Sequence, residues 1–154
     1  MGELQFLPVS VNITQKKLLL VGGGEVALHK ASILSRFTDR VAVVAPEFHA
    51  GFAALPFERV QKAYEPDDLT GADMVYICTG HEALNREIKD ECARRGVPAS
   101  VCDNPSRCDF ISPAVYKDGN VTIAVSSNGQ NVRQAIAIRN QIQQLVEQEV
   151  IKIR

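Results

Sequence analysis

Four short groups of residues in this chain could do chemistry. The first is Gly22-Gly23-Gly24 with Glu25 and Val26, and the second is Pro46-Glu47. The third is Thr79-Gly80-His81 and the fourth is Asp103-Asn104. The first N–H groups of a helix have no intrahelical acceptor, and the helix dipole adds about half a positive charge there. Such a helix start suits a pyrophosphate, and glycine is needed because side chains would block its approach. The spacing fits Gly-x-Gly-x-x-Ala, with Gly22 for the tight turn, Gly24 for close backbone approach and Ala27 where helix meets sheet. A strand that merely reverses tightly is the plainer reading of the same triplet. Glu47 lies 25 residues after Gly22, close to the distance at which a carboxylate meets an adenosine ribose. That carboxylate accepts from a ribose hydroxyl and repels a 2′-phosphate, so the expected cofactor is NAD rather than NADP. Asp103 can take a proton, and His81 can exchange one near neutral pH. Capping a turn or starting a helix is the plainer role of each.

The elements that must position these groups follow from hydrophobic pattern. Lys17 to Val21 and Val41 to Val44 are aliphatic runs of the kind a buried parallel strand needs. Between them Val26, Ala27, Ala31, Ile33 and Leu34 recur at helical spacing. Phe57 to Tyr64 reads as a third strand, and residues 65–69 as a turn with a short helix. Met74 to Cys78 is another strand, His81 to Arg95 a helix, and Ala99 to Asp103 a fifth strand, with Gly96-Val97-Pro98 as the stop between them. Strands alternating with helices imply an α/β domain, a Rossmann-like parallel sheet covered on both faces, over residues 1–113. In such sheets ligands bind at the carboxyl ends of the strands, and all four groups fall there.

Residues 114–154 read differently. Asn120 to Ser127 has the β-branched content of a strand, Asn128-Gly129 is a turn signal, and the pattern is helical from Val132 onward. Ile138, Ile142, Leu145 and Val146 form an apolar stripe. A small α+β segment of this kind is expected to pack on a second copy of the chain, giving a homodimer. The alternative is a helix folded back on its own sheet.

The bulk properties exclude several classes. The net charge of −1 over 154 residues gives no global attraction for nucleic acid or an anionic membrane. No apolar run reaches 18 residues and no signal-peptide pattern opens the chain, so a cytoplasmic protein is expected. Cys78, Cys92, Cys102 and Cys108 make no Cys-x-x-Cys pair, and His29, His49 and His81 show no ligand spacing with them. Free thiols and no metal site are therefore expected.

Together these stretches resemble the precorrin-2 dehydrogenase module of siroheme synthases. The residues that carry the resemblance are Leu20 to Ala27 with Lys30, Val43 to Glu47, Cys78-Thr79 with Asn85, Val101-Cys102-Asp103, Phe110 to Ala114, and Ile123 to Ser127 with Gly129. The resemblance covers nearly the whole chain in order. It implies a Rossmann NAD domain, a swapped dimerisation segment, and oxidation of the tetrapyrrole precorrin-2 to sirohydrochlorin in siroheme biosynthesis. By position it implies that Glu25, Val26, Pro46 and Glu47 contact NAD, that Asp103 is catalytic, and that Ser127 borders the tetrapyrrole site. His81, Asn104, Ser127 and Arg133 are the candidate substrate contacts, and Arg107 and Lys117 are further basic candidates for its carboxylates. The family's pattern differs at Gly80-His81, Ser100 and Asn131-Val132, departures that bear on the tetrapyrrole pocket rather than on the cofactor half. Typical members continue beyond Arg154 with a helical region, so weak or missing chelatase activity is expected. Two other functions are compatible with the same fold: a dinucleotide-binding dimer that senses redox state without catalysis, and an oxidoreductase of another substrate.

Overall fold

The computed structural model describes residues 2–154. Its chain divides into two compact units, one spanning Val11–Phe110 and the other formed by residues 2–10 with Ile111–Arg154.

The larger unit is built on a five-stranded sheet in which every neighbouring pair is parallel. Its strands are β1 (Leu18–Val21), β2 (Val41–Ala45), β3 (Glu58–Gln61), β4 (Met74–Ile77) and β5 (Ala99–Val101), in the spatial order β3-β2-β1-β4-β5. Helices α1 (Glu25–Leu34) and α2 (Glu82–Arg95) complete the alternation. Period-two geometry sends Leu18, Leu20, Val41 and Val43 into one apolar layer with Ala27, Ala31 and Leu34 of α1. Leu19, Val21, Ala42 and Val44 enter the other layer with Ile88 and Cys92 of α2. Sandwiching on both faces explains why β1, β2 and β4 read as unbroken apolar runs. β3 is a sheet edge, and its Glu58, Arg59 and Gln61 are exposed. Beyond β5 the chain folds back along that strand. Asp109 N–H donates to Ala99 O at 2.9 Å, and Asp109 Oδ2 accepts from Ala99 N–H at 2.9 Å. The returning segment satisfies an edge that would otherwise present unpaired groups.

The strand order reverses between β1 and β4, which start adjacent crossovers on opposite sides. A ligand crevice belongs at that switch point. Here the glycine turn and Thr79 are neighbours.

The smaller unit holds a hairpin, β6 (Ala114–Asp118) paired antiparallel with β7 (Val121–Val125), followed by α3 (Val132–Glu147). β6 is absent from the sequence reading, which has only the second strand of the hairpin. The turn at Gly119 takes a positive φ of 57°. Asn131 caps α3 by accepting from Gln134 N–H at 2.9 Å. Arg139 Nη1 donates to Val115 O at 3.0 Å, tying the helix to the hairpin of its own unit. Ala135 is buried, whereas Val132, Ile136, Ile138 and Leu145 stay exposed.

The domain boundary differs from the expected 1–113. The side-chain amide of Asn128 binds residues 4–6, accepting from Phe6 N–H at 2.8 Å and donating to Leu4 O at 2.8 Å. Gln130 reaches Glu3 at 3.0 Å. These bonds between ends of the chain place the first residues with the C-terminal segment.

Candidate functional site

The glycine turn is made by three glycines with three different duties. Gly22 adopts φ 132°, which a side chain would disfavour, and a Cβ there would collide with the Cys78 backbone at the end of β4. Gly23 is packed against the loop after β2. A Cβ on it would overlap the Glu47 carbonyl and stand 2.8 Å from Ala45 Cβ. Its own carbonyl accepts from His49 N–H at 2.7 Å. The turn and the loop carrying Pro46 and Glu47 are thereby locked together. Gly24 is the helix N-cap, with nothing within 4 Å of where its Cβ would stand. Ala27 is fully buried at the helix–sheet contact, as the spacing predicts. Gly23, which the motif leaves unassigned, is packed as closely as Gly22.

A dinucleotide fits the residues present. The first intrahelical bond of α1 runs from Leu28 N–H to Gly24 O at 2.9 Å, so the preceding amides lack acceptors in the helix. The space above Gly24 is open to the phosphates that such amides would bind. Glu25 and Val26 open the helix and are exposed, as are Pro46 and Glu47.

The second cluster lies at the ends of β4 and β5. Thr79, Gly80, Glu82, Asn85, Arg86 and Asp103 help line a cavity of about 260 Å³, together with Cys102, Asn104 and Arg107. Thr79 is fixed by Asn85. Its hydroxyl meets Asn85 Oδ1, and its carbonyl accepts from Asn85 Nδ2 at 3.1 Å. His81 is the N-cap of α2, makes no side-chain capping bond and is exposed, which matches the helix-start reading. It does not line the cavity.

Asp103 sits just beyond β5 with φ 66°, exposed at the cavity. It is not the cap of the following turn. That position belongs to Asn104, whose side chain accepts from Ser106 Oγ at 2.7 Å. The Asp103 carboxylate accepts no hydrogen bond among the described residues, so it is available to a ligand. Lys30 of α1 is a charge that acts on it. Burial holds the Lys30 ammonium below the usual lysine range, and Asp103 and Cys108 oppose that shift. Lys30 Nζ stands 5.7 Å from the centroid of Tyr76, whose ring meets Phe110 edge-on at 5.3 Å.

Arg107 pairs with Asp90 at 3.7 Å, and Arg86 pairs with Glu82 one helical turn away at 3.5 Å. Arg86 is missing from the sequence reading. Its i+4 spacing from Glu82 at the start of α2 was the available signal. Ser127, Arg133 and Lys117 belong to the other unit, where Ser127 Oγ accepts from Asn131 N–H at 2.9 Å.

One expectation is overturned. Cys78 and Cys102 are not free thiols but form a disulfide, and only Cys92 and Cys108 are free. They follow β4 and β5, parallel neighbours, with Cα atoms 5.2 Å apart, inside the range a disulfide spans. No group of side chains among the described residues has the makings of a metal site. No helix there is long and apolar enough to cross a membrane.

Parallel β-α-β order, a glycine turn at the switch point and an acid at the next strand end define a Rossmann-type nucleotide-binding domain. Residues 9–114 match the family model described as "Putative NAD(P)-binding", and the chain belongs to that family. It is 33% identical to the siroheme synthase of Thiobacillus denitrificans over 147 residues, covering 93% of this chain and 31% of the relative. Identity reaches 37% over 142 residues with the siroheme synthase of Ectopseudomonas mendocina, covering 91% and 31%. The chain thus spans just under a third of these relatives. The fold is similar to the solved structure of SirC, a precorrin-2 dehydrogenase, with a TM-score of 0.78 at 19% identity, over 90% of this chain and 70% of that one.

Proposed function

We propose that this protein is an NAD-dependent precorrin-2 dehydrogenase that makes sirohydrochlorin for siroheme. The observation that carries the reading is an unengaged carboxylate, Asp103, on a cavity that Thr79 also lines, and a Cβ on Gly22 would stand 3.2 Å from Thr79 N. The names and similarity of the relatives supply the substrate. The oxidation removes a hydride and a proton from a polycarboxylate macrocycle. Nicotinamide, when bound, accepts the hydride.

The remaining work falls to this chain's own groups. The amides of residues 24–26 hold the pyrophosphate, Glu47 accepts from the adenosine ribose, and Thr79 stands at the next strand end. Asp103 accepts the proton. Arg86 and Arg107 are the cavity cations suited to substrate carboxylates, with Asn104 as a neutral partner. His81 takes no proton in this scheme. Ser127 and Arg133 remain candidate substrate contacts from the smaller unit. Residues 114–154 are proposed as the dimerisation segment because four large aliphatic side chains of α3 are exposed in the single chain. A cytoplasmic location accords with the proposed pathway.

Anaerobic incubation with precorrin-2 and NAD tests the reading. Growth of the sirohydrochlorin spectrum with stoichiometric NADH supports it. NAD binding without any turnover of precorrin-2 would replace it with the sensor or with an oxidoreductase of another substrate.

A further inference from the structure

We propose that Cys78 and Cys102 are a reversible dithiol–disulfide couple, open through the cavity to exchange with small thiols such as glutathione. The geometry supplies three grounds. The pair is not needed to join the strands. β4 and β5 already share a ladder, and Cys102 N–H donates to Ile77 O at 2.9 Å. The two sulfurs differ in access: Cys78 is buried in the apolar layer, whereas Cys102 is half-buried and lines the cavity. Each cysteine also directly precedes a residue of the site, Cys78 before Thr79 and Cys102 before Asp103.

The other two cysteines are unsuited to such exchange. Cys92 is fully buried on α2, and burial pushes its thiol up to about 11. Cys108 is engaged with the backbone of Val101, its Sγ lying 3.2 Å from both Val101 N and Val101 O. A disulfide that forms in a thiol-rich compartment is characteristically transient, catalytic or redox-sensing.

The exchange balances as follows. An incoming glutathione thiolate attacks Cys102 Sγ, forming a mixed disulfide while the Cys78–Cys102 bond breaks. Cys78 leaves as a thiolate and takes a proton. A second glutathione thiolate then attacks the glutathione sulfur, releasing Cys102 as a thiolate, which is protonated, and oxidised glutathione. Two thiols are oxidised and one protein disulfide is reduced. The reverse sequence restores the bridge.

The test uses the full chain in buffers of reduced and oxidised glutathione at stepped ratios, quenched with acid and alkylated for mass measurement. Expected is a change of two alkylatable thiols between the reducing and oxidising ends, recovered in both directions. A Cys78–Cys102 linked peptide should appear only on the oxidised side. In Cys78→Ser under oxidised glutathione, the adduct should form on Cys102. Four alkylatable thiols at every ratio would overturn the proposal. So would a bridge that resists reduction until the protein is denatured, or a bridge or adduct that maps to Cys92 or Cys108. The wild-type titration decides the matter even if the serine variant does not fold, and none of these readouts needs precorrin-2.

Discussion

Replacing Gly23 and Gly24 separately should split a structural duty from a binding one. In Gly23→Ala the new methyl overlaps the Glu47 carbonyl, lies 2.8 Å from Ala45 Cβ and is 3.1 Å from the Glu47 carbonyl carbon. Carbon atoms at rest stand about 3.5–4.0 Å apart, so backbone must move. Little can move. Ala45 ends β2, which is laddered to β1 and β3, and Gly23 O is held by His49 N–H. Overpacking costs about 1–3 kcal/mol, and this rigid setting puts the expected loss near 3 kcal/mol. At this chain length about 2–4 °C is lost per kcal/mol, so Tm should fall by roughly 6–12 °C. In Gly24→Val the side chain enters open space at φ −85°, and only an N-cap preference of about 1 kcal/mol is lost. It fills the approach to the helix amides instead. Losing two charge-assisted hydrogen bonds there removes about 3 kcal/mol or more, on the order of a hundredfold in NAD affinity. Thermal melts without ligand and calorimetric NAD titrations measure the two effects. A Gly23→Ala protein that melts with the parent, or a Gly24→Val protein that binds NAD normally, would refute the packing argument.

Asp103→Asn keeps size and hydrogen-bonding ability while removing the base. It should fold and bind NAD like the parent but oxidise precorrin-2 at least tenfold slower, since general-base loss removes about a hundredfold in rate. A near-parental rate in the anaerobic assay would take Asp103 out of the mechanism, and loss of activity in His81→Ala alone would move the role to His81. NAD should bind more tightly than NADP, and Glu47→Ser should narrow the gap by removing the charge that repels a 2′-phosphate. Equal or tighter NADP binding by the parent in the same titration would contradict this. Sedimentation should find a dimer at micromolar concentration, and Ile138→Glu with Leu145→Glu should shift it to monomer. A parental chain that sediments as a stable monomer would rule out the proposed dimerisation segment.

The sheet was legible because its strands are buried on both sides. The runs Leu18–Val21, Val41–Ala45 and Met74–Ile77 have no solvent face to interrupt them. β3 was harder to bound, since an edge strand with Glu58, Arg59 and Gln61 outward looks like its flanking loops. The turn of 3₁₀ helix at Ala50–Ala54 had no signal, being short, with Phe52 its one buried residue and the His49 side chain accepting from Gly51 N–H as its cap. β6 escaped notice because all five of its residues are half-buried and Lys117 and Asp118 are charged. Gly119-Asn120 followed by a β-branched run was the hairpin signal that could have found it. No local pattern could place residues 2–10, whose attachment depends on Asn128 and Gln130 more than a hundred positions away.

The site was legible to the extent that it lies at strand ends, and obscure where strand neighbours matter. That Gly22 abuts the Cys78 backbone, and that Cys78 faces Cys102, both require β4 to lie between β1 and β5. Periodicity gives the strands but not that order. The same limit applied to Asp103, for which base and turn cap were equal readings of Asp103-Asn104-Pro105-Ser106. The hydrogen bonds bear on the cap reading alone. Asn104 occupies the cap position and takes the Ser106 hydroxyl, while Asp103 takes a left-handed conformation inside a turn that Asn104 N–H closes on Val101 O at 3.1 Å. Aspartate is among the residues that visit that region readily, so the turn accounts for its backbone while its carboxylate stays unbonded. His81 presents the opposite case, an ordinary extended N-cap outside the cavity lining. Its place is explained by starting α2. That of Asp103 is explained by the turn only for its backbone, and its unbonded carboxylate on the cavity is why the proposed mechanism gives it the proton.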